Sequence, residues 1–247
     1  MTAVPRIITF PGGETACVIE AAQGVDGDTL LVRLDLPPPR GSLIVNGSTA
    51  PLGPGLGGLG DILARGVAGV AVADGLTVVT GATDAGIFSL LGAAMAGATA
   101  PLIGVAPVGL VTWPDRGPAG PDREPLEPHH THFVLVEGAE WGDETAALLG
   151  LADALGKGAP TVAILCGGGE VAGDEVFGHV RAGRRVVVVA GSGGLADDLA
   201  AAVGGVGPPG DPALGEMAGR GNLLVCPLSA GADALAALVR QVMAGGS

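Results

Sequence analysis

The sequence predicts a single α/β domain with a Rossmann-like, doubly wound and mainly parallel sheet of about seven strands. Short runs of aliphatic and β-branched residues recur along the 247-residue chain, as in strands that are buried on both faces. Most of these runs end in Gly, Ser, Thr or Asn and are followed by a segment with helical periodicity. A chain of this length can bury a substantial core.

Seven apolar runs and the segments between them give the predicted elements in order. The strands are predicted at residues 43–45, 76–79, 102–105, 133–136, 162–165, 186–189 and 223–225. The helices, rich in Ala and Leu, are predicted at residues 59–70, 87–96, 144–155, 171–181, 195–203 and 232–243. Because only 2% of the residues are aromatic, we expect an aliphatic core.

The first 40 residues follow a different pattern. Short strands are predicted at residues 7–10, 16–21 and 30–34, before a run of three prolines. We expect residues 1–40 to form a β-rich N-terminal cap of the same domain, and residues 41–247 to form the Rossmann-like domain itself. The proline-rich segment 112–128 and the Gly- and Pro-rich segment 204–221 interrupt the β-α alternation, and both are predicted to be binding loops or lids.

Composition limits the classes of partner. The formal net charge is −13, with only 12 Lys and Arg, so a nucleic-acid partner is not expected. The chain has neither a run of about 18 apolar residues nor a signal-peptide pattern, so we expect a soluble, cytoplasmic protein with no membrane partner. Three widely spaced cysteines indicate reduced thiols. An aliphatic strip on one helix would allow a homodimer.

Four glycine-rich loops carry the prediction of a ligand site. They lie at residues 46–49, 80–86, 167–170 and 191–194, each after a predicted strand. In a parallel sheet such loops share the carboxyl edge, where free amides at helix starts can hold a phosphate without a basic side chain. Neither the dinucleotide fingerprint nor the P-loop motif is complete. The candidate ligand-binding residues in these loops are Gly47, Ser48, Thr80, Gly81, Thr83, Asp84, Gly86, Gly167, Gly168, Gly169, Gly191, Ser192 and Gly193.

Several side chains outside the glycines have open interpretations. Three of the four histidines lie at residues 129–132, without the spacing of a metal site, so no metal is predicted. His130 and His132 would either hydrogen-bond a phosphate or ribose, or only cap the following strand. Trp141 would stack on a base or seal the core. Glu175 would bind ribose hydroxyls, act as a catalytic carboxylate, or be a solvated helix residue.

Four segments resemble one known family. They are residues 79–87 (VTGATDAGI), 126–136 (LEPHHTHFVLV), 165–170 (LCGGGE) and 188–197 (VVAGSGGLAD). In these segments the chain resembles the SLOG superfamily, specifically the prokaryotic relatives of the ligand-sensing N-terminal domain of melastatin-type transient receptor potential channels. The resemblance extends over about residues 40–245.

The resemblance implies a Rossmann-like sensor of a nucleotide derivative such as ADP-ribose, cyclic ADP-ribose or another NAD-derived molecule, with no separate cofactor. Gly194 and Ala190 stand where the family often has an arginine and a glutamate. The related phosphoribohydrolases carry P-G-G-x-G-T-x-x-E, of which residues 168–175 keep two glycines and Glu175. We therefore expect binding without efficient hydrolysis. The alternatives are a nucleotide N-glycosidase and a partner-binding module with no ligand.

Overall fold

The computed structural model describes residues 4–50, 57–117, 122–206 and 212–245. Nine strands form the main sheet, and two short strands form a separate pair. The main sheet contains β1 (Arg6–Thr9), β2 (Thr15–Ala21), β3 (Ser42–Gly47), β4 (Thr77–Gly81), β5 (Leu102–Pro107), β8 (His132–Val136), β9 (Thr161–Cys166), β10 (Val186–Ala190) and β11 (Leu223–Pro227). The short pair is β6 (Val111–Thr112) and β7 (Glu124–Pro125).

The strand order of the main sheet is β1-β2-β8-β5-β4-β3-β9-β10-β11. All neighbours are parallel except β1, which pairs antiparallel with β2 at the edge. Strand β3 lies in the middle, with β4 on one side and β9 on the other. After β3, the chain forms β4, β5 and β8 on one side of β3 and then crosses to β9 on the other side. The order therefore reverses at β3, which is the topological switch point of a doubly wound sheet.

Eight helices lie among the described residues. They are α1 (Gly27–Leu34), α2 (residues 59–74), α3 (Gly86–Ala94), α4 (Thr145–Gly156), α5 (Glu170–Arg181), α6 (Gly194–Val203), α7 (Pro212–Gly219) and α8 (Ala232–Ala244). Helix α2 has α-helical ends around a π-helical stretch, Ile62–Ala68. None of the described helices has the length and apolar character needed to cross a bilayer.

Alternate residues of the central strands enter two separate cores, because successive side chains of a strand point to opposite faces. Leu43 and Val45 of β3 pack in the core under α2, α3 and α8. Ile44, between them, packs in the core under α1 and α4 to α7. A smaller third core contains Trp113 and Phe133, and residues 108–117 and 122–127 contribute to its cover over the outer strands. Helices cover both faces of the mainly parallel sheet, which confirms the predicted Rossmann-like class. All seven predicted strands are also confirmed.

Two sequence predictions are wrong. Residues 30–34, predicted as a strand, belong to helix α1, in which Asp26 accepts a hydrogen bond from the Thr29 amide as the N-terminal cap and Leu30 and Leu34 are buried one turn apart. Residues 212–219, predicted to lie in a loop, form α7, which buries Leu214 and Met217. The remaining parts of the two predicted loops at residues 118–121 and 207–211 lie outside the described residues.

Candidate functional site at the switch point

A cavity of about 410 Å³ opens where β3 and its neighbours end. We call it the switch-point cavity. Its wall contains the segments that follow β3 and β4, the start of α5 after β9, and part of the segment between β8 and α4. These segments meet because parallel strands deliver their carboxyl ends to one edge of the sheet.

Two glycines allow the loops at this edge to approach each other. A Cβ at Gly47 would lie 2.2 Å from the carbonyl oxygen of Cys166 on the neighbouring strand. Gly86 has a φ of +53°, and a Cβ there would lie 2.2 Å from the Ser48 carbonyl oxygen. That oxygen accepts a hydrogen bond of 3.1 Å from the Ile87 amide. These contacts hold the loop after β3 against the start of α3.

The start of α5 presents free amides to the cavity. The first hydrogen bond of this helix joins the Gly173 amide to the Gly169 carbonyl at 2.9 Å. Within the described chain, the amides of Glu170, Val171 and Ala172 have no acceptor, and all three residues line the cavity. No side chain caps this helix. Unpaired amides and the positive end of the helix dipole favour an anion here.

The loop at residues 191–194 instead supports the turn after β9. The Ser192 hydroxyl accepts a hydrogen bond of 2.8 Å from the Gly167 amide, and the Leu195 amide donates to the Gly168 carbonyl at 3.0 Å. The Gly191 amide donates to the Asp197 carboxylate at 2.5 Å. An anion could reach these three amides only by displacing bonds within the protein. The amides of Gly193 and Gly194 have no acceptor among the described residues, but neither glycine lines the cavity.

Glu175 is a buried carboxyl in the wall of the cavity. Its Oε2 accepts a hydrogen bond of 2.7 Å from Nδ2 of Asn46, the residue just before Gly47. Burial raises the pKa of Glu175 to about 7, against the opposing effect of the Asn46 bond and with a further increase from the charge of Glu144. The Oδ1 atom of Asn46 is buried without a partner. Glu175 is therefore a carboxyl that gains and loses a proton near neutral pH.

The rest of the wall is acidic and carries one aromatic ring. Glu144 accepts a hydrogen bond of 2.7 Å from the Gly142 amide, and burial raises the pKa of Glu144. Trp141 is 46% exposed, so its ring is accessible to a ligand. Thr83 contributes a buried hydroxyl without a partner. Four glutamates and no Lys, Arg or His stand among the described lining residues, so a ligand here meets carboxyl groups and amides.

The histidine cluster lies away from this cavity. His132 is the first residue of β8, at the edge opposite the cavity. The buried Glu127 carboxylate bonds Nδ1 of His129 at 2.6 Å and Nδ1 of His130 at 2.8 Å, and His130 stacks on Phe133. Burial alone would raise the pKa of Glu127, but the bonds and charges of His130 and His129 outweigh it and lower that pKa. The cluster joins the segment before β8 to the core.

The structure brings some of the predicted residues together and separates others. Those in the cavity wall are Gly47, Ser48, Gly81, Thr83, Gly169 and Glu175. Those outside the wall are Thr80, Asp84, Gly86, His130, His132, Gly167, Gly168, Gly191, Ser192 and Gly193. Asp84, for example, lines a different cavity, together with Trp113. The list of candidate residues omitted Asn46 and Glu144, although Asn46 belongs to the predicted loop at residues 46–49 and is a polar residue at the end of an apolar strand.

Comparison with known families agrees with this architecture. The family model described as "SLOG in TRPM, prokaryote" matches residues 40–232. The match covers more than half of the chain, and the chain belongs to this family, as the sequence predicted. No curated protein matches the chain.

Proposed function

We propose that this domain binds a phosphate-bearing nucleotide derivative in the switch-point cavity, with an NAD-derived molecule such as ADP-ribose or cyclic ADP-ribose as the ligand. The observation that carries the proposal is the set of unpaired amides at the start of α5, which belong to three residues lining a cavity of about 410 Å³. This volume is within the usual range for small-molecule sites. Membership of the SLOG family also suggests a ligand-sensing or nucleotide-related role.

Each part of such a ligand has a suitable partner. A phosphate would accept hydrogen bonds from the amides of residues 170–172. Ribose hydroxyls would donate to the carboxyl groups of Glu175 and Glu144, and the base would stack on Trp141. The acidic wall favours a ligand that offers several hydroxyl donors and places its negative charge at one point. A ligand with anionic groups spread along its length would be repelled by the glutamates that lie away from the bound phosphate.

The proposal is tested by thermal denaturation and calorimetric titration with ADP-ribose and cyclic ADP-ribose, with adenosine as the phosphate-free control. Ligand at 100 times its Kd should stabilise the fold by about 2.7 kcal/mol. Adenosine should bind much more weakly. Ligand binding to the wild type should quench the fluorescence of Trp141. The substitution Trp141→Ala should weaken binding. No stabilisation by any of these nucleotides at millimolar concentration would contradict the proposal.

A second candidate function is cleavage of an N-glycosidic bond in a nucleotide. The observation that favours it is the buried Glu175 carboxyl, whose pKa of about 7 suits a general acid or base. Incubation with AMP, NAD or ADP-ribose and chromatography of the products would detect the free base. Release of base by the wild type and its loss in Glu175→Gln would favour the hydrolase. Binding without turnover would leave the sensor as the function.

A further inference from the structure

A second cavity, of about 420 Å³, lies at the opposite edge of the sheet and concentrates the positive charge of the protein. It is lined by the residues that precede β9, β10 and β11, and by the ends of α5 and α8. Four arginines, Arg181, Arg184, Arg185 and Arg220, line it, out of 12 Lys and Arg in the chain. The described wall contains no Asp or Glu. We call it the arginine cavity.

Arg184 is held in place before any ligand arrives. Its side chain is 7% exposed, and its Nη2 atom bonds the Asp153 carboxylate at 2.6 Å. Its Nη1 atom bonds Nδ1 of His179. Burial, reinforced by the charge of Arg184, lowers the pKa of His179 to about 3, so the imidazole is neutral and Nδ1 accepts this bond. A fixed guanidinium loses little conformational entropy when it binds an anion.

Carbonyl groups at and just after the end of α5, which would repel an anion, accept hydrogen bonds from within the protein. The His179 carbonyl accepts from the Arg184 amide at 3.0 Å. The side chain of Asn222 donates to the Val180 carbonyl at 3.1 Å and to the Arg184 carbonyl at 2.8 Å. These bonds satisfy part of the negative end of the helix within the wall.

The other three guanidinium groups are available. Arg220 pairs with Glu216 at 2.7 Å in an exposed contact of one helical turn, the kind of pair that contributes little to stability. Arg181 lies over the Phe177 ring at 5.5 Å, which leaves its N–H groups free for an anion. Arg185 has no acidic partner among the described residues. The positive charge of the cavity is therefore only partly neutralised within the described chain.

We propose that the arginine cavity is a second ligand site, which binds a compact phosphate-bearing anion such as a di- or triphosphate group, free or carried by a small molecule. Guanidinium groups match phosphate oxygens with paired hydrogen bonds. The described wall offers Val162, Val180 and Val242 but no aromatic ring, so recognition depends on the phosphates and not on a base. The volume fits a small molecule.

The test is calorimetric titration of the full chain with inorganic tripolyphosphate at constant ionic strength, with ATP in a parallel arm. Arg181→Gln/Arg185→Gln should weaken tripolyphosphate binding by about tenfold or more, because it removes two charge-assisted donors. Arg6→Gln/Arg65→Gln removes the same charge outside the cavity and should change the Kd less than twofold, which corresponds to less than about 0.4 kcal/mol. Equal affinity for ATP and tripolyphosphate would identify the phosphates as the recognised group, whereas much tighter ATP binding would contradict recognition by phosphates alone.

Three results would overturn the second site. One is the absence of tripolyphosphate binding by the wild type at millimolar concentration. Another is equal weakening by the two double variants, which would indicate an effect of total charge. The third is loss of tripolyphosphate binding in Glu170→Pro, which removes a free amide at the switch-point cavity and would place the anion there.

Discussion

Replacement of Glu175 by glutamine should stabilise the protein above neutral pH. The folded state raises the pKa of this carboxyl from 4.5 to about 7, chiefly by burial. Its ionised form is therefore disfavoured by folding. In the wild type this effect is absent below pH 4.5 and grows as the pH rises towards 7, because the folded state then holds a proton that the unfolded chain has released.

The size of the effect follows from the same shift. One pKa unit corresponds to about 1.4 kcal/mol, so a rise from 4.5 to about 7 destabilises the fold by about 3 kcal/mol at pH 8. Glutamine has nearly the same shape and its side-chain oxygen can still accept the Asn46 hydrogen bond, but it has no charge to bury. Glu175→Gln should therefore exceed the wild type in unfolding free energy at pH 8 and approach it at pH 4.5.

Urea denaturation followed by tryptophan fluorescence measures this difference at both pH values. Glu170→Gln serves as the matched control, since Glu170 is an exposed glutamate in the first turn of the same helix. Loss of its charge from the helix start should lower stability slightly, by about 0.5 kcal/mol. A Glu175→Gln protein no more stable than the wild type at pH 8, or one with the same advantage at pH 4.5, would refute the reasoning.

Three further substitutions, one of them a matched control, test the packing around the site and the histidine cluster. In urea denaturation, Gly47→Ala should lower the unfolding free energy by about 1 to 3 kcal/mol, because its Cβ would collide with the Cys166 carbonyl. The control Gly173→Ala, at an open position inside α5, should raise the unfolding free energy by about 0.5 to 1 kcal/mol. A tolerated Gly47→Ala would show that the loop is not closely packed there. Glu127→Gln should lower the unfolding free energy by about 2 kcal/mol at pH 7. Against the effect of burial, the two histidines lower the pKa of the native Glu127 carboxyl, so the carboxylate stabilises the fold until it is protonated. The cost of the substitution should therefore become smaller as the pH falls. A cost independent of pH between 3 and 7 would contradict that role.

The sequence was sufficient for the sheet because the strands are buried on both faces. Residues 186–189, for example, are four valines, β-branched residues that favour a strand, and all four are buried. Helix α1 was missed because Leu30, Leu31, Val32 and Leu34 form a short apolar run, which also fits a strand. The cap at Asp26 and the one-turn spacing of the buried leucines were the local signals for a helix.

The candidate site was predictable only in part, because glycine-rich loops have the same appearance whether their amides are free or paired. The turns at residues 167–170 and 191–194 both precede helices. Only the tertiary structure pairs the start of α6 with the carbonyls of Gly167 and Gly168 and leaves the start of α5 open. The histidines were expected near the ligand, but direction along β8 places them at the other end of the strand. Whether a helix-start amide is free or paired depends on tertiary contacts, which periodicity does not encode, whereas the position of the histidines before and at the start of β8 was readable from the sequence.

The central claim is that main-chain amides at the start of α5 hold the phosphate of the ligand, and one comparison of two variants tests it most directly. Glu170→Gln removes the carboxylate and keeps the amide, whereas Glu170→Pro removes both at the first helical position, where proline is tolerated. Calorimetric titration with ADP-ribose should give a Kd for Glu170→Pro at least about tenfold weaker than that for Glu170→Gln. Equal affinities of the two folded variants would contradict the claim.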